Sequence, residues 1–74
     1  MSTEKDTFVK VSEVKITDTV TIVVSILPNR KRVDVREFIA TKNYSGATKK
    51  GINVPAEYVA DIVKAMNDAV AKLQ

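Results

Sequence analysis

RKRVDVREFIATKNYSGATKKGINV, residues 30–54, holds two extended segments, the loop between them and most of the basic charge of the chain. Residues 30–50 carry seven basic side chains (Arg30, Lys31, Arg32, Arg36, Lys42, Lys49 and Lys50) and two acidic ones (Asp34 and Glu37), a local excess of five. Residues 1–29 carry three basic against four acidic groups and residues 51–74 two against three, so the net charge of +3 arises wholly in the middle. A polyanionic partner is expected to meet the chain there.

Within this stretch, residues 30–41 read as a third strand, with Asp34, Arg36 and Phe38 on one face and Val33, Val35, Glu37 and Ile39 on the other. Lys42–Thr48, containing Asn43, Tyr44, Ser45 and Gly46, reads as a turn-rich linker, and Lys49–Val54 as a short fourth strand. Gly51 inside that strand signals a bend or the close approach of another backbone.

Upstream, Val20–Leu27 (VTIVVSIL) is the most β-branched segment of the protein and is apolar on both sides, which belongs to the middle of a sheet or to a sheet covered on one face by a helix and on the other by a second subunit. Pro28 and Asn29 end it with a link short enough for a hairpin. Phe8–Ile16 alternates imperfectly: Val9 and Val11 share one face, while Phe8, Val14 and Ile16 agree with them only through a bulge or burial on both sides. Residues 1–7 are polar and read as a frayed end before a single domain over residues 8–74.

Downstream, Pro55 fits the first turn of a helix and Glu57 complements its positive end. Val59, Ile62, Val63, Met66, Val70 and Leu73 recur at helical spacing and are expected to be buried against the sheet or a partner's helix. The fold class is α+β in the order β-β-β-β-α. One helix covers only one face of a sheet, so a second face is left exposed or is covered by a dimer.

Composition narrows the function classes. The 74 residues include no Cys and no His, which removes disulfide staples and conventional structural zinc sites, and leaves few groups suited to acid–base or nucleophilic chemistry at neutral pH. No enzyme, cofactor or metal is expected. A domain this small buries only about 60–65% of its extended surface, so a homodimer through the helix over residues 55–73 and the sheet is expected. No run approaches the roughly 18 apolar residues of a membrane span, and the start lacks a secretory h-region. The expected setting is intracellular: cytoplasmic or nucleoid-associated, or nuclear if the source is eukaryotic.

Val33-Asp34-Val35-Arg36-Glu37-Phe38, the basic pair Lys49-Lys50 before Gly51-Ile52-Asn53-Val54, Pro55–Tyr58 and the closing Asp68-Ala69-Val70-Ala71-Lys72-Leu73 form an ordered set. Over residues 30–73 this set resembles the single-stranded-DNA-binding domain of the positive cofactor 4 family of transcriptional coactivators. The resemblance implies a curved four-stranded antiparallel sheet with one C-terminal helix, of the whirly-like type. It further implies a homodimer whose channels hold single-stranded DNA or melted duplex through backbone contacts and stacking. It places Arg30 at a basic hairpin position, Arg36 at the arginine of the strand pattern, and Lys49 and Lys50 at the basic pair. Leu27 and Ile39 fall where a family member carries base-stacking rings, and here both are aliphatic.

The expected nucleic-acid-binding set is therefore Arg30, Lys31, Arg32, Arg36, Lys49, Lys50, Tyr44, Leu27 and Ile39. Basic groups on neighbouring strand positions can neutralise successive phosphates, although alternation turns Lys31 away from Arg30 and Arg32. Arg36 reads equally as a phosphate ligand and as a structural partner of Asp34. Tyr44, in a polar loop with no core to fill, is the ring expected to touch a base, while Phe38 reads as core. The function these readings converge on is non-catalytic binding of single-stranded DNA with weak sequence preference, in transcription or another DNA transaction. The alternatives are RNA binding and a module that docks an acidic partner of the transcription machinery.

Overall fold

Val20–Leu27 takes the interior place that a strand apolar on both sides requires. In the computed structural model, which describes residues 7–74, four strands form one open, curved antiparallel sheet: β1 (Val9–Lys15), β2 (Val20–Leu27), β3 (Arg32–Ala40) and β4 (Ser45–Pro55), in the order β1-β2-β3-β4. A 3-10 turn (Ala56–Tyr58) and helix α1 (Val59–Leu73) follow. The expected frayed start over residues 1–7 lies outside the described residues except for Thr7.

The imperfect alternation of β1 resolves as a bulge. Its register shifts between Lys10 and Ser12, leaving Val11 without a cross-strand partner. Val9 then lies opposite Ile26 and Val14 opposite Ile22, so the bulge brings both valines to one face of the sheet. At the β1–β2 connection the Thr17 hydroxyl accepts from the amides of Thr19 (3.2 Å) and Val20 (3.0 Å), a local turn that Asp18 and the threonines favour.

Pairing sorts the sheet into two faces. One is apolar, with Val9, Val14, Ile22, Val24, Val33, Val35, Ile52 and Val54 sharing it across all four strands. The other is polar and carries Lys10, Glu13, Ser25, Arg32, Asp34, Arg36 and Asn53. Val23 and Leu27, the buried apolar side chains among the described residues, lie on the polar face, together with buried Ser25 and Asp34.

Three boundaries differ from expectation. The third strand begins at Arg32 rather than Arg30, because Pro28–Lys31 form the hairpin turn: the Arg30 amide donates to the Leu27 carbonyl (3.1 Å) and the Lys31 amide to that of Pro28 (3.3 Å). The linker expected over Lys42–Thr48 is only a tight turn, closed by the Thr41 amide on the Tyr44 carbonyl at 2.7 Å, and β4 is already paired at Ser45. Pro55 stays extended (φ −61, ψ 140) as the last residue of β4, so α1 starts four residues later than the proline suggests.

The helix does not take its cover from the chain's own sheet. The apolar stripe Val59, Ile62, Val63, Met66, Val70 and Leu73 was expected against the sheet or a partner's helix, yet within the chain α1 packs chiefly on the 3-10 turn before it and buries no residue. Met66 is 61% exposed and Leu73 87%. The radius of gyration, 14.5 Å, exceeds the about 11 Å of a compact domain of this length, because the helix projects from the sheet. No helix among the described residues is long and apolar enough to cross a membrane.

Candidate nucleic-acid interface

The basic residues expected at the site lie along the β3–β4 pair, in two groups. Arg30 and Lys31 are exposed in the β2–β3 turn and, with Pro55, Ala56 and Glu57, border a cavity of about 440 Å³. Lys31 adopts the left-handed conformation (φ 53), which also removes the basis for placing it by strand alternation. Its carbonyl accepts from the Ala56 amide at 2.9 Å, tying the turn to the start of the helical segment.

The second group is created by a disruption of the ladder. Arg36 pairs with Gly51 and Phe38 with Ala47, so Glu37 faces three residues, Thr48, Lys49 and Lys50, where a regular ladder has one. The Thr48 hydroxyl donates to the Glu37 carbonyl (2.9 Å) and accepts from the Lys50 amide (3.0 Å), holding the bulge together. Two adjacent lysines on a regular strand would be turned to opposite faces. Here the strand opens at the pair, Lys49 is exposed, and Lys50 reaches only a 4.0 Å contact with Glu37 while its side chain stays 81% exposed. Gly51 makes the opening possible: a Cβ there would lie 2.6 Å from the Val35 carbonyl oxygen.

Arg32 and Arg36 are engaged inside the protein. Arg36 meets Asp34 with two nitrogens (Nη2–Oδ1 2.9 Å, Nε–Oδ2 3.2 Å) and donates Nη1 to the Thr48 carbonyl at 3.1 Å. Arg32 donates Nε to the Asn53 side-chain oxygen and Nη2 to the Asn53 carbonyl (2.8 Å), and the Asn53 amide donates to Asp34 Oδ1 at 3.3 Å. Asp34, 3% exposed, is thus the hub of a polar network that links β3 to β4 and ties down the bulge. Of the two readings open for Arg36, the structure displays the pairing with Asp34. That pairing holds its guanidinium above the ordinary value, through the hydrogen bond first and charge attraction after it, against the opposing effect of desolvation.

Tyr44 is 49% exposed in the β3–β4 turn, and its hydroxyl donates to the Ala47 carbonyl, which fixes the ring beside Gly46. Leu27 is 5% exposed, opposite Arg32. Ile39 is half-buried opposite Val20 and reaches the wall of a second cavity, of about 450 Å³, on the polar face. Asn53 and Thr48 were not foreseen as organisers of the site, whereas the i, i+2 spacing of Asp34 and Arg36 on one strand face already offered their pairing as one of the readings of Arg36.

No cluster among the described residues has the acidic, His or Cys groups to hold a metal ion. Comparison of the chain with known protein families, curated proteins and solved structures finds no match. What stands is a small β-β-β-β-α domain with an open, curved sheet, whose topology is that of positive-cofactor-4-like and whirly-like binding modules in general.

Proposed function

We propose that this protein is a non-catalytic, homodimeric binder of single-stranded DNA with weak sequence preference, of the transcriptional-coactivator type. The observation that carries the reading is the β4 bulge, which lifts Lys49 and Lys50 out of the ladder beside Arg36, on a strand pair that begins at the turn holding Arg30 and Lys31. Cations held at intervals along an open sheet suit a flexible chain of phosphates, which can follow the curvature where a rigid duplex cannot.

The dimer rests on uncovered apolar surface. The chain exposes 6157 Å², against about 4500 Å² for a compact protein of this mass. Among the described residues no element packs extensively over the apolar face of the sheet or the stripe of α1, and a second copy supplies both a sheet face and a stripe to match.

Fluorescence anisotropy of a labelled oligonucleotide of about 20 nucleotides at two salt concentrations tests the proposal. Affinity should fall steeply with added salt as counterions return to the strand. No binding to any single strand at low salt would sink it and favour an acidic protein partner docking on the same basic surface.

A further inference from the structure

Lys49 and Lys50 lie on β4 and Arg30 and Lys31 in the turn before β3, yet a concavity of the polar face, lined by one lysine, lies over β2. Thr21, Val23 and Ser25, which share this face, line its wall over about 13 Å of strand, with Phe38 opposite Thr21 at one end and Phe8, just before Val9, toward the other. At its rim Lys10 is held by Glu13 at 2.6 Å, and Asp18 adds a further negative charge. Among the described residues that line it, one cation already compensated by Glu13 stands against two carboxylates, a poor place for phosphate.

The same trough suits a flat, neutral, hydrogen-bonding group. Phe8 leaves 54% of its surface exposed at the rim, a ring with no polar atom. The volume, about 450 Å³, lies within the range of sites that enclose small organic groups. The Val23 side chain, flanked by the hydroxyls of Thr21 and Ser25, combines apolar contact with donors and acceptors for a base edge. The trough extends to Ser45 and Gly46 of β4, the strand that carries Lys49 and Lys50, and is on the opposite face from the apolar surface assigned to the dimer.

We propose that the trough between Phe8 and Phe38 is a nucleobase subsite, taking unpaired bases of the bound strand by stacking on these two rings. The inference rests on the single-strand reading and names where the base contacts fall: not on Leu27, which is buried, but on two phenylalanines of the polar face.

The experiment compares, by anisotropy with the full chain, a labelled 20-mer of thymidylate with an abasic strand of the same length, which keeps the phosphates and lacks the bases. The wild type should prefer the base-bearing strand by about 5- to 150-fold for each base stacked. Phe8→Ala should lose most of that preference, while abasic-strand affinity and salt slope stay unchanged. Phe8→Trp should show fluorescence quenched by the base-bearing strand and not by the abasic one. Equal wild-type affinity for the two strands overturns the subsite and leaves the single-strand reading standing. So does full preference retained by Phe8→Ala, or a parallel loss of both strands, which marks the ring as structural. Failure to bind either strand removes the single-strand reading and this subsite with it.

Discussion

Arg36 and Gly51 face each other across β3 and β4 so closely that a Cβ on Gly51 would lie 2.9 Å from the Cα of Arg36 and 3.0 Å from its guanidinium carbon. The glycine lets the two backbones approach while the arginine reaches past it to the Thr48 carbonyl. The bulge that presents the lysine pair depends on both.

Gly51→Ala should therefore cost about 1–3 kcal/mol, because the atom it meets first, the Val35 carbonyl oxygen at 2.6 Å, is backbone and cannot rotate away. Urea unfolding at fixed protein concentration reads this as a lower midpoint. A midpoint equal to wild type would mean that the strands separate there without penalty.

Asp34→Ala leaves both Arg36 and Asn53 without their shared acceptor and should lower Tm by at least about 5 °C. Adding Arg36→Ala to it should cost less than the two single losses combined, as expected of groups in one network. The Arg36 guanidinium is raised above its ordinary value on folding, so its contribution is fully present below the unfolded value and disappears only as pH climbs through the folded one, in strong alkali. This arginine should consequently add no slope to a stability profile between about pH 6 and 9.

Replacing Lys49 and Lys50 together with Ala should weaken binding alike for different oligonucleotide sequences and lower the salt slope by up to about 2. Thermal stability should hardly change, since neither lysine is buried and Lys50 makes only a long contact with Glu37. If the double variant binds normally while Tyr44→Ala loses most of its affinity, the strand is held by the β3–β4 turn instead.

Lys31→Gly should raise stability by up to about 1 kcal/mol, because the φ of 53 that a side chain resists suits glycine. Lys31→Val should do the opposite, by crowding a branched Cβ into the same conformation. A shared midpoint for the two variants would contradict the left-handed turn.

Light scattering at micromolar concentration should give twice the chain mass of 8.2 kDa. Met66→Asp places a charge in the middle of the α1 stripe and should shift the protein toward monomer, with a loss of stability that more protein partly restores. A wild-type mass of 8.2 kDa ends the dimer proposal.

Residue type and spacing alone determined the four strands and one helix in their order, and narrowed β1 to a bulge or burial on both sides and Gly51 to a bend or a close approach. These are local properties: β-branching, alternation and a missing Cβ act within a few residues and need no knowledge of what lies across the sheet. Tertiary structure alone decided that Arg32 binds Asn53, which of its readings Arg36 takes, and that α1 stands away from the sheet. Arg32 with Asn53, and Arg36 with the Thr48 carbonyl, join groups far apart in the chain. The residues joining Arg32 to Asn53 say nothing of their pairing, and the bulge is fixed by Thr48 bonding to a strand 11 positions away. Helical periodicity shows that α1 has an apolar stripe, but the stripe pattern is the same whether the chain's own sheet or a second molecule covers it.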